Sequence, residues 1–234
     1  VLFIHGFLGS GADASFLESL ADITVIAPDL PGHGKSAPFS EASQASTSHF
    51  PELLADALSQ YGPYELIVGY SLGGRIAREW LQRGSFSFTK WLFLSTFFGH
   101  ISSGEARMRL KDDQRKAIDV LINPQDFLDR WNQQELFKPY SSPPSGSPDI
   151  DPQSASFLLE HFSAGHQLRL EEIPAGNRIG ILFGQNDPKF IAHSRAMQLI
   201  LEPALYREVP DAWHRIIHDQ PGFCRTAVQD MLLL

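Results

Sequence analysis

The sequence predicts an α/β protein, with a mostly parallel sheet, helices on both its faces and a helical insertion late in the chain. Three observations predict this. Short apolar runs (VLFI, ELIVGY, WLFL, IGILF) alternate with segments of helical periodicity, and such alternation requires parallel strands joined by crossover helices. The alternation breaks between about residues 99 and 177, where helical patterns follow one another without a strand between them. Finally, the run ELIV leads through Gly69-Tyr70-Ser71-Leu72-Gly73 directly into the helical pattern GRIAREWLQ, a strand–turn–helix junction with glycine on both sides of a serine.

Taken in order, strands are expected at 1–5, 23–28, 65–70, 90–96, 178–184 and 204–209. Helices are expected at 11–20, 47–60, 72–83, 189–201 and 220–233, the last with Pro221 in its first turn, where a missing N–H costs nothing. In the insertion, 105–122 and 125–136 read as amphipathic helices and 154–163 as a third. Between them runs KPYSSPPSGSPDIDPQS, too rich in Pro and Ser to be regular. The expected organisation is one core from 1–98 and 178–234, with 99–177 as a helical cap over the sheet. The stretch 138–153 reads as a mobile loop of that cap or as a plain solvated connector.

The chain has 234 residues, 43% hydrophobic and 20% charged, which suits one globular domain with a real core. No apolar run approaches the ~20 residues that cross a bilayer, so no membrane span is expected. Residues 1–4 are too short for a signal-peptide core and lack a basic flank. The chain opens on Val1 inside an expected strand, so further residues are expected upstream. Cys224, the only cysteine, excludes an internal disulfide and fits a reducing compartment, and a cytoplasmic protein is expected. No CxxC or HExxH pattern suggests a metal, and no cofactor is expected. The net charge of −8 and the lack of a Lys/Arg-rich run argue against nucleic acid as a partner. An acidic chain that takes an anionic small molecule needs locally placed arginines, because its overall field repels anions.

The chemistry is carried by the serine junction. Glycines two before and two after Ser71 remove the Cβ clashes of a tight strand-to-helix turn, which makes Gly69–Gly73 a nucleophile elbow. A serine nucleophile needs a base, and the base an orienting acid. Asp187 follows ILFG, just past an expected strand, and His214 follows LYREV, just past the next; the order Ser, Asp, His suits this arrangement. Read alone, Asp187 is a helix N-cap and His214 a surface histidine. His218 is the rival base, four residues further on towards the last helix. His5-Gly6-Phe7 ends the first strand, and an oxyanion hole would combine the backbone N–H of Phe7 with that of Leu72. The segment DLPGHGKS imitates a phosphate-binding loop, but Asp29 stands where the first glycine is required, and Pro38 follows Ser36 where a helix should begin. It reads as a structural turn bordering the mouth of the site.

Together HGFLGS, DLPGHGKS, GYSLGGR and the GQNDPKF…H pair resemble the α/β-hydrolase superfamily along most of the chain. More narrowly, the sequence is similar to the 2-succinyl-6-hydroxy-2,4-cyclohexadiene-1-carboxylate synthases (MenH type) of menaquinone biosynthesis. GYSLGGR puts Tyr70 beside the serine and Arg75 four residues after it; EARMRLKDD resembles the family's cap helix, with Arg109 at the arginine position; DFLDRW puts Trp131 where the family has a cap tryptophan. The resemblance implies an α/β-hydrolase fold, substrate contacts from Tyr70, Arg75, Arg109 and Trp131, and a lyase that removes a proton and expels pyruvate, with Ser71 acting as a base. The chain departs from the family where Trp213 replaces the glycine before the histidine, where Lys35 replaces a common glycine, and where 141–160 contains no arginine.

Three functions stay open at this point. The first is the synthase. The second is an ester or carbon–carbon bond hydrolase, which the apolar Phe97, Phe98, Phe127 and Phe137 would suit. The third is a non-catalytic ligand-binding member of the fold. Arg75 and Arg109 are carboxylate partners in the first; otherwise Arg75 is a core salt bridge, and Arg109, with Arg107 and Lys111, a solvated helix face. The oligomeric state cannot be read from the sequence.

Overall fold

The structure is a computed structural model that describes residues 1–39, 50–86, 89–99, 102–139, 150–167 and 169–234. Among the described residues the sheet has five strands, β1 (Leu2–Ile4), β2 (Leu66–Tyr70), β3 (Lys90–Leu94), β4 (Arg178–Gly184) and β5 (Leu205–Val209). They lie in the order β1-β2-β3-β4-β5, every neighbouring pair parallel. The register aligns Ile4 with Gly69 and Tyr70 with Leu94, so the strands' C-terminal ends share one edge.

Alternate side chains feed two separate cores, as the period of a strand dictates. Leu2, Ile4, Ile67, Trp91, Phe93, Ile179 and Ile181 pack with helices α1 (Phe50–Ser59) and α2 (Leu72–Arg83) and with Met197 and Leu201 of a later helix. Phe3, Leu66, Val68, Leu92, Leu94 and Leu182 pack on the other face against Phe16, Leu17 and the C-terminal helix. Both faces of β1 to β4 are buried beyond their first residues, which is why they read as apolar runs, whereas the edge strand β5 is half-buried and carries Arg207 and Glu208.

Between β3 and β4 the chain runs through α3 (Ser103–Ile122), α4 (Pro124–Asn132) and α5 (Pro152–His161). Their N-caps are Ser102, Asn123 and Asp151, whose side chains accept the amides of Glu105, Asp126 and Ser154. Leu8 of the core joins Ala117, Val120, Phe127, Ala155 and Leu159 in a third apolar cluster beneath these helices. After β4 come α6 (Ile191–Leu201), β5, a short α7 (Ile216–Asp219) and α8 (Pro221–Leu233). Among the described residues no helix is long and apolar enough to cross a membrane.

Three expectations need correction. The stretch 23–28 forms no strand: only Ile26 pairs with β1, through Phe3 N–H to Ile26 O (2.8 Å) and Ile26 N–H to Val1 O (2.9 Å). Pro28 lacks the N–H that the next rung would need. The helix expected at 11–20 is a 3-10 turn, Gly11–Leu17, opened by a reciprocal Ser10–Asp13 cap. The helix expected at 125–136 ends at Asn132 and gives way to a 3-10 turn at Glu135–Phe137. The short α7 was not anticipated. Residues 47–49 of the expected helix 47–60, and 140–149 of the expected loop 138–153, lie outside the described residues.

This topology fixes where a site can form. From β1 the chain crosses to Ile26 on one side and returns to β2 on the other, so neighbouring connections leave β1 in opposite directions. At such a switch point the loops beyond the strand ends part and leave a crevice.

Candidate active site

Gly6-Phe7 after β1 and Ser71 after β2 flank that crevice. Ser71 has φ 51° and ψ −106°, a strained backbone for a residue with a Cβ. Its surroundings impose it. A Cβ on Gly73 would run into the carbonyl of Ile4, and one on Gly69 into the Gly74 backbone, so helix and strand meet more closely than any side chain allows. Ser71 N–H donates to Leu94 O at 2.9 Å, which ties the turn to β3.

Asp187 and His214 follow β4 and β5. His214 Nδ1 lies 2.9 Å from Asp187 Oδ2, and His214 Nε2 lies 3.0 Å from Ser71 Oγ. Asp187 is wholly buried and His214 nearly so. Asp187 Oδ1 accepts the amides of Lys189 (3.0 Å) and Phe190 (3.2 Å), so both its oxygens are engaged. The His214 backbone is held from two sides: its N–H donates to Leu136 O (3.1 Å), and its carbonyl accepts the Tyr70 hydroxyl (3.3 Å). Phe190 packs its ring 4.6 Å from the imidazole. In an arrangement of this kind the imidazole can take the serine proton while the buried carboxylate steadies the resulting charge.

Phe7 and Leu72 both line the cavity over Ser71. Leu72 is the first residue of α2, so its N–H has no helical carbonyl partner one turn earlier. Gly6 comes close enough that a Cβ there would sit 3.4 Å from Ser71 Cβ. His5 points elsewhere: its Nδ1 meets Gly6 O (2.7 Å) and its Nε2 accepts Leu30 N–H (2.8 Å). The DLPGHGKS segment is a turn, as its sequence indicates. Asp29 accepts the amides of Gly11 and Lys35, and buried His33 meets Pro31 O.

The cavity measures about 110 Å³ and is lined by all the expected substrate contacts, Tyr70, Arg75, Arg109 and Trp131. Arg75 makes no ion pair among the described residues; its Nη1 donates to Phe162 O (2.7 Å) and it sits 5.4 Å from the Phe162 ring. Burial first, then the nearby Arg109, lowers its pKa. Arg109 departs from the solvated-face alternative: exposed Arg107 and Lys111 take that face, while half-buried Arg109 bonds Asp113 at 2.7 Å. Trp131 packs between Phe7 and Phe137, with ring centroids 4.9 and 6.0 Å away. Of the apolar candidates, Phe97 and Phe137 line the cavity; Phe98 and Phe127 lie in the cores. His218 lines it too, yet faces Asp13 (3.6 Å), while His214 faces Ser71.

Sequence reasoning missed Lys116, Lys189 and Arg215, which also line the cavity. Lys116 is held between Asp112 (2.7 Å) and the Trp131 ring, and Arg215 bonds Asn132 Oδ1 (2.7 Å) over the Phe137 ring. Lys189 was visible within GQNDPKF, next to the acid; the other two carry no local signal.

Fold and site together define a class. Residues 1–227 match the Alpha/beta hydrolase family model, and the chain belongs to that family. It is also similar to particular members. It is 31% identical over 210 residues to the protein PHYLLO of Arabidopsis thaliana, covering 81% of this chain but only 12% of that protein's length. It is 30% identical over 225 residues to the 2-succinyl-6-hydroxy-2,4-cyclohexadiene-1-carboxylate synthase of Yersinia pestis (strain Pestoides F), covering 86% of this chain and 77% of that one. In three dimensions it matches MenH from S. aureus with a TM-score of 0.86 at 22% identity, over 99% of this chain and 92% of that one.

Proposed function

We propose that this α/β-hydrolase-fold enzyme is a MenH-like lyase of menaquinone biosynthesis, which eliminates pyruvate from 2-succinyl-5-enolpyruvyl-6-hydroxy-3-cyclohexene-1-carboxylate. One observation carries the reading: Arg75, Arg109, Lys116, Lys189 and Arg215 line the same cavity as Ser71, in a chain of net charge −8. Five cations against two carboxylates, Asp13 and Asp113, in one small space suit a ligand with several carboxylates. The similarity to a named synthase supports the same class.

In this mechanism Ser71 passes its proton to His214 Nε2, and the serine oxygen removes a carbon-bound proton from the substrate. The electron pair released forms a ring double bond at C2, the existing double bond shifts to C4, and the C–O bond to the enolpyruvyl group at C5 breaks. The departing enolate takes a proton and becomes pyruvate. Asp187 steadies the imidazolium, and the N–H groups of Phe7 and Leu72 face oxygen on which charge develops. Tyr70, Arg75, Arg109 and Trp131 position the substrate. In the same reading residues 99–177 act as a cap that closes this space over the core 1–98 and 178–234.

The second reading is an ester or carbon–carbon bond hydrolase using Ser71 as nucleophile. Phe7, Phe97, Trp131, Phe137 and Phe190 line the cavity and would suit an aromatic ester. One comparison separates the two: specificity constants for the tricarboxylate and for a neutral aryl ester, in wild type, Arg75→Ala and Arg75→Lys. The lyase reading expects Arg75→Ala to cost about ten- to a hundredfold on the tricarboxylate alone, with partial rescue by Lys, which keeps the charge but not the two-pronged contact. A wild type that ignores the tricarboxylate and cleaves the ester establishes the hydrolase instead.

A further inference from the structure

The cations of the cavity come from different elements. Arg75 stands on α2, and Arg109 and Lys116 on α3. Lys189 belongs to the acid loop, two residues after Asp187, and its amide donates to Asp187 Oδ1 at 3.0 Å. The next residue, Phe190, packs against the His214 imidazole, and the Lys189 ammonium lies 5.8 Å from the Phe190 ring centre. The loop that orients the acid therefore also carries a cation to the imidazole end of the cavity. Arg109 and Lys116 are paired with Asp113 and Asp112, whereas Lys189 makes no ion pair among the described residues.

We propose that Lys189 is a ligand-binding cation of this cavity, holding a substrate carboxylate beside His214. This rests on the polycarboxylate reading above and adds a residue to it. Lys189 lines the cavity while the residue as a whole stays exposed to solvent. The charged groups facing that ammonium are Arg109, Lys116 and Asp113 of α3, and Asp187 of its own loop. Withdrawal from water, followed by repulsion from Arg109 and Lys116, outweighs the pull of the two carboxylates and brings its pKa to about 8.

The sign of the coupling follows. Near pH 8 the empty protein therefore holds both charged and neutral Lys189. A carboxylate placed against it favours the charged form and raises its pKa, so binding draws a proton from solution. Binding is strongest below pH 8 and weakens as pH rises through it. An arginine at this position stays charged and needs no such proton.

The test is a calorimetric titration of the whole chain with tricarballylate, a plain tricarboxylate, at pH 8 in two buffers of different ionisation enthalpy. Wild type is expected to take up a measurable fraction of a proton per ligand bound. Lys189→Arg should bind within about threefold of wild type without that uptake. Lys189→Met, which keeps the stem, should bind about tenfold or more weakly, also without uptake. Circular dichroism verifies that all three are folded, and the arginine variant provides a binding-competent control if the methionine variant is not. Equal affinity and equal uptake in all three proteins would remove Lys189 from the site while leaving the polycarboxylate reading intact. No binding to wild type would remove that reading, and the role of Lys189 with it.

Discussion

At the scale of single residues, Ser71, Asp187 and His214 meet through two contacts of 3.0 and 2.9 Å although the paired residues lie 143 and 27 positions apart in the chain. Their meeting was legible because each occupies a fixed structural station: one in a glycine-framed turn, two just past apolar strands. Ser71→Ala is expected to cost several powers of ten in turnover with the fold intact. His214→Ala should cost nearly as much, and the double variant scarcely more, because the groups act as a unit. His218→Ala should cost less than about tenfold, since its nearest ionic partner is Asp13 and not Ser71. Steady-state kinetics on the four proteins settles the assignment, and a large loss from His218 alone would reverse it. Lys116 and Arg215 were not legible, because a cation on an amphipathic helix or in a loop looks the same whether it faces water or a cavity. Only the folded chain turns Lys116 onto Trp131 and Arg215 onto Phe137.

At the scale of elements, β4 and α2 fall where the sequence places them, and the other strands of the sheet differ only at their ends. Apolar runs bounded by turn residues make a strong signal when both faces are buried. The edge stretch 23–28 carries the same apolar residues, but one rung with β1 and a following proline leave it irregular. Pattern alone does not reveal whether a run has a partner on each side. The elbow offers the clearest test of how elements dictate the site. A methyl group on Gly73 would press on the Ile4 and His5 carbonyls, both backbone and unable to move aside. Gly73→Ala is therefore expected to lose about 1–3 kcal/mol or more by denaturant unfolding. It should also lower turnover by more than the stability loss explains, because α2 can recede from β1 only by moving Ser71. A variant as stable and as active as wild type would show that the close approach is not required.

At the scale of the whole molecule, a surface of net negative charge surrounds a cavity lined by cations. The outer field repels a polyanion and the inner one attracts it. Salt screens both, but exposed charges far more than enclosed ones, with a Debye length of about 8 Å at physiological strength. Raising ionic strength is thus expected to change KM for a tricarboxylate and leave KM for a neutral ester unchanged, a comparison needing only one enzyme and two substrates. The fold's own pH limit comes from a different pair. His5 and His33 are fully buried, with ring centres 5.1 Å apart, beneath the loops that flank the crevice. Burial, with the neighbouring His33 second, holds the pKa of His5 at about 3, and burial lowers that of His33 as well. Unfolded, both titrate near 6.5. Below that value the unfolded chain binds protons that the native chain refuses, so stability falls as pH drops from about 6.5 towards 3. His5 contributes at most about 1.4 kcal/mol per pH unit inside this window and nothing above it, and His33 acts in the same direction. Unfolding midpoints measured from pH 8 to 4 should be flat to about 6.5 and then decline, and His5→Asn, which retains a donor for Gly6 O, should flatten the decline even where it lowers the plateau. An unchanged slope in that variant would assign acid sensitivity to other groups and leave His5 a hydrogen-bonding residue alone.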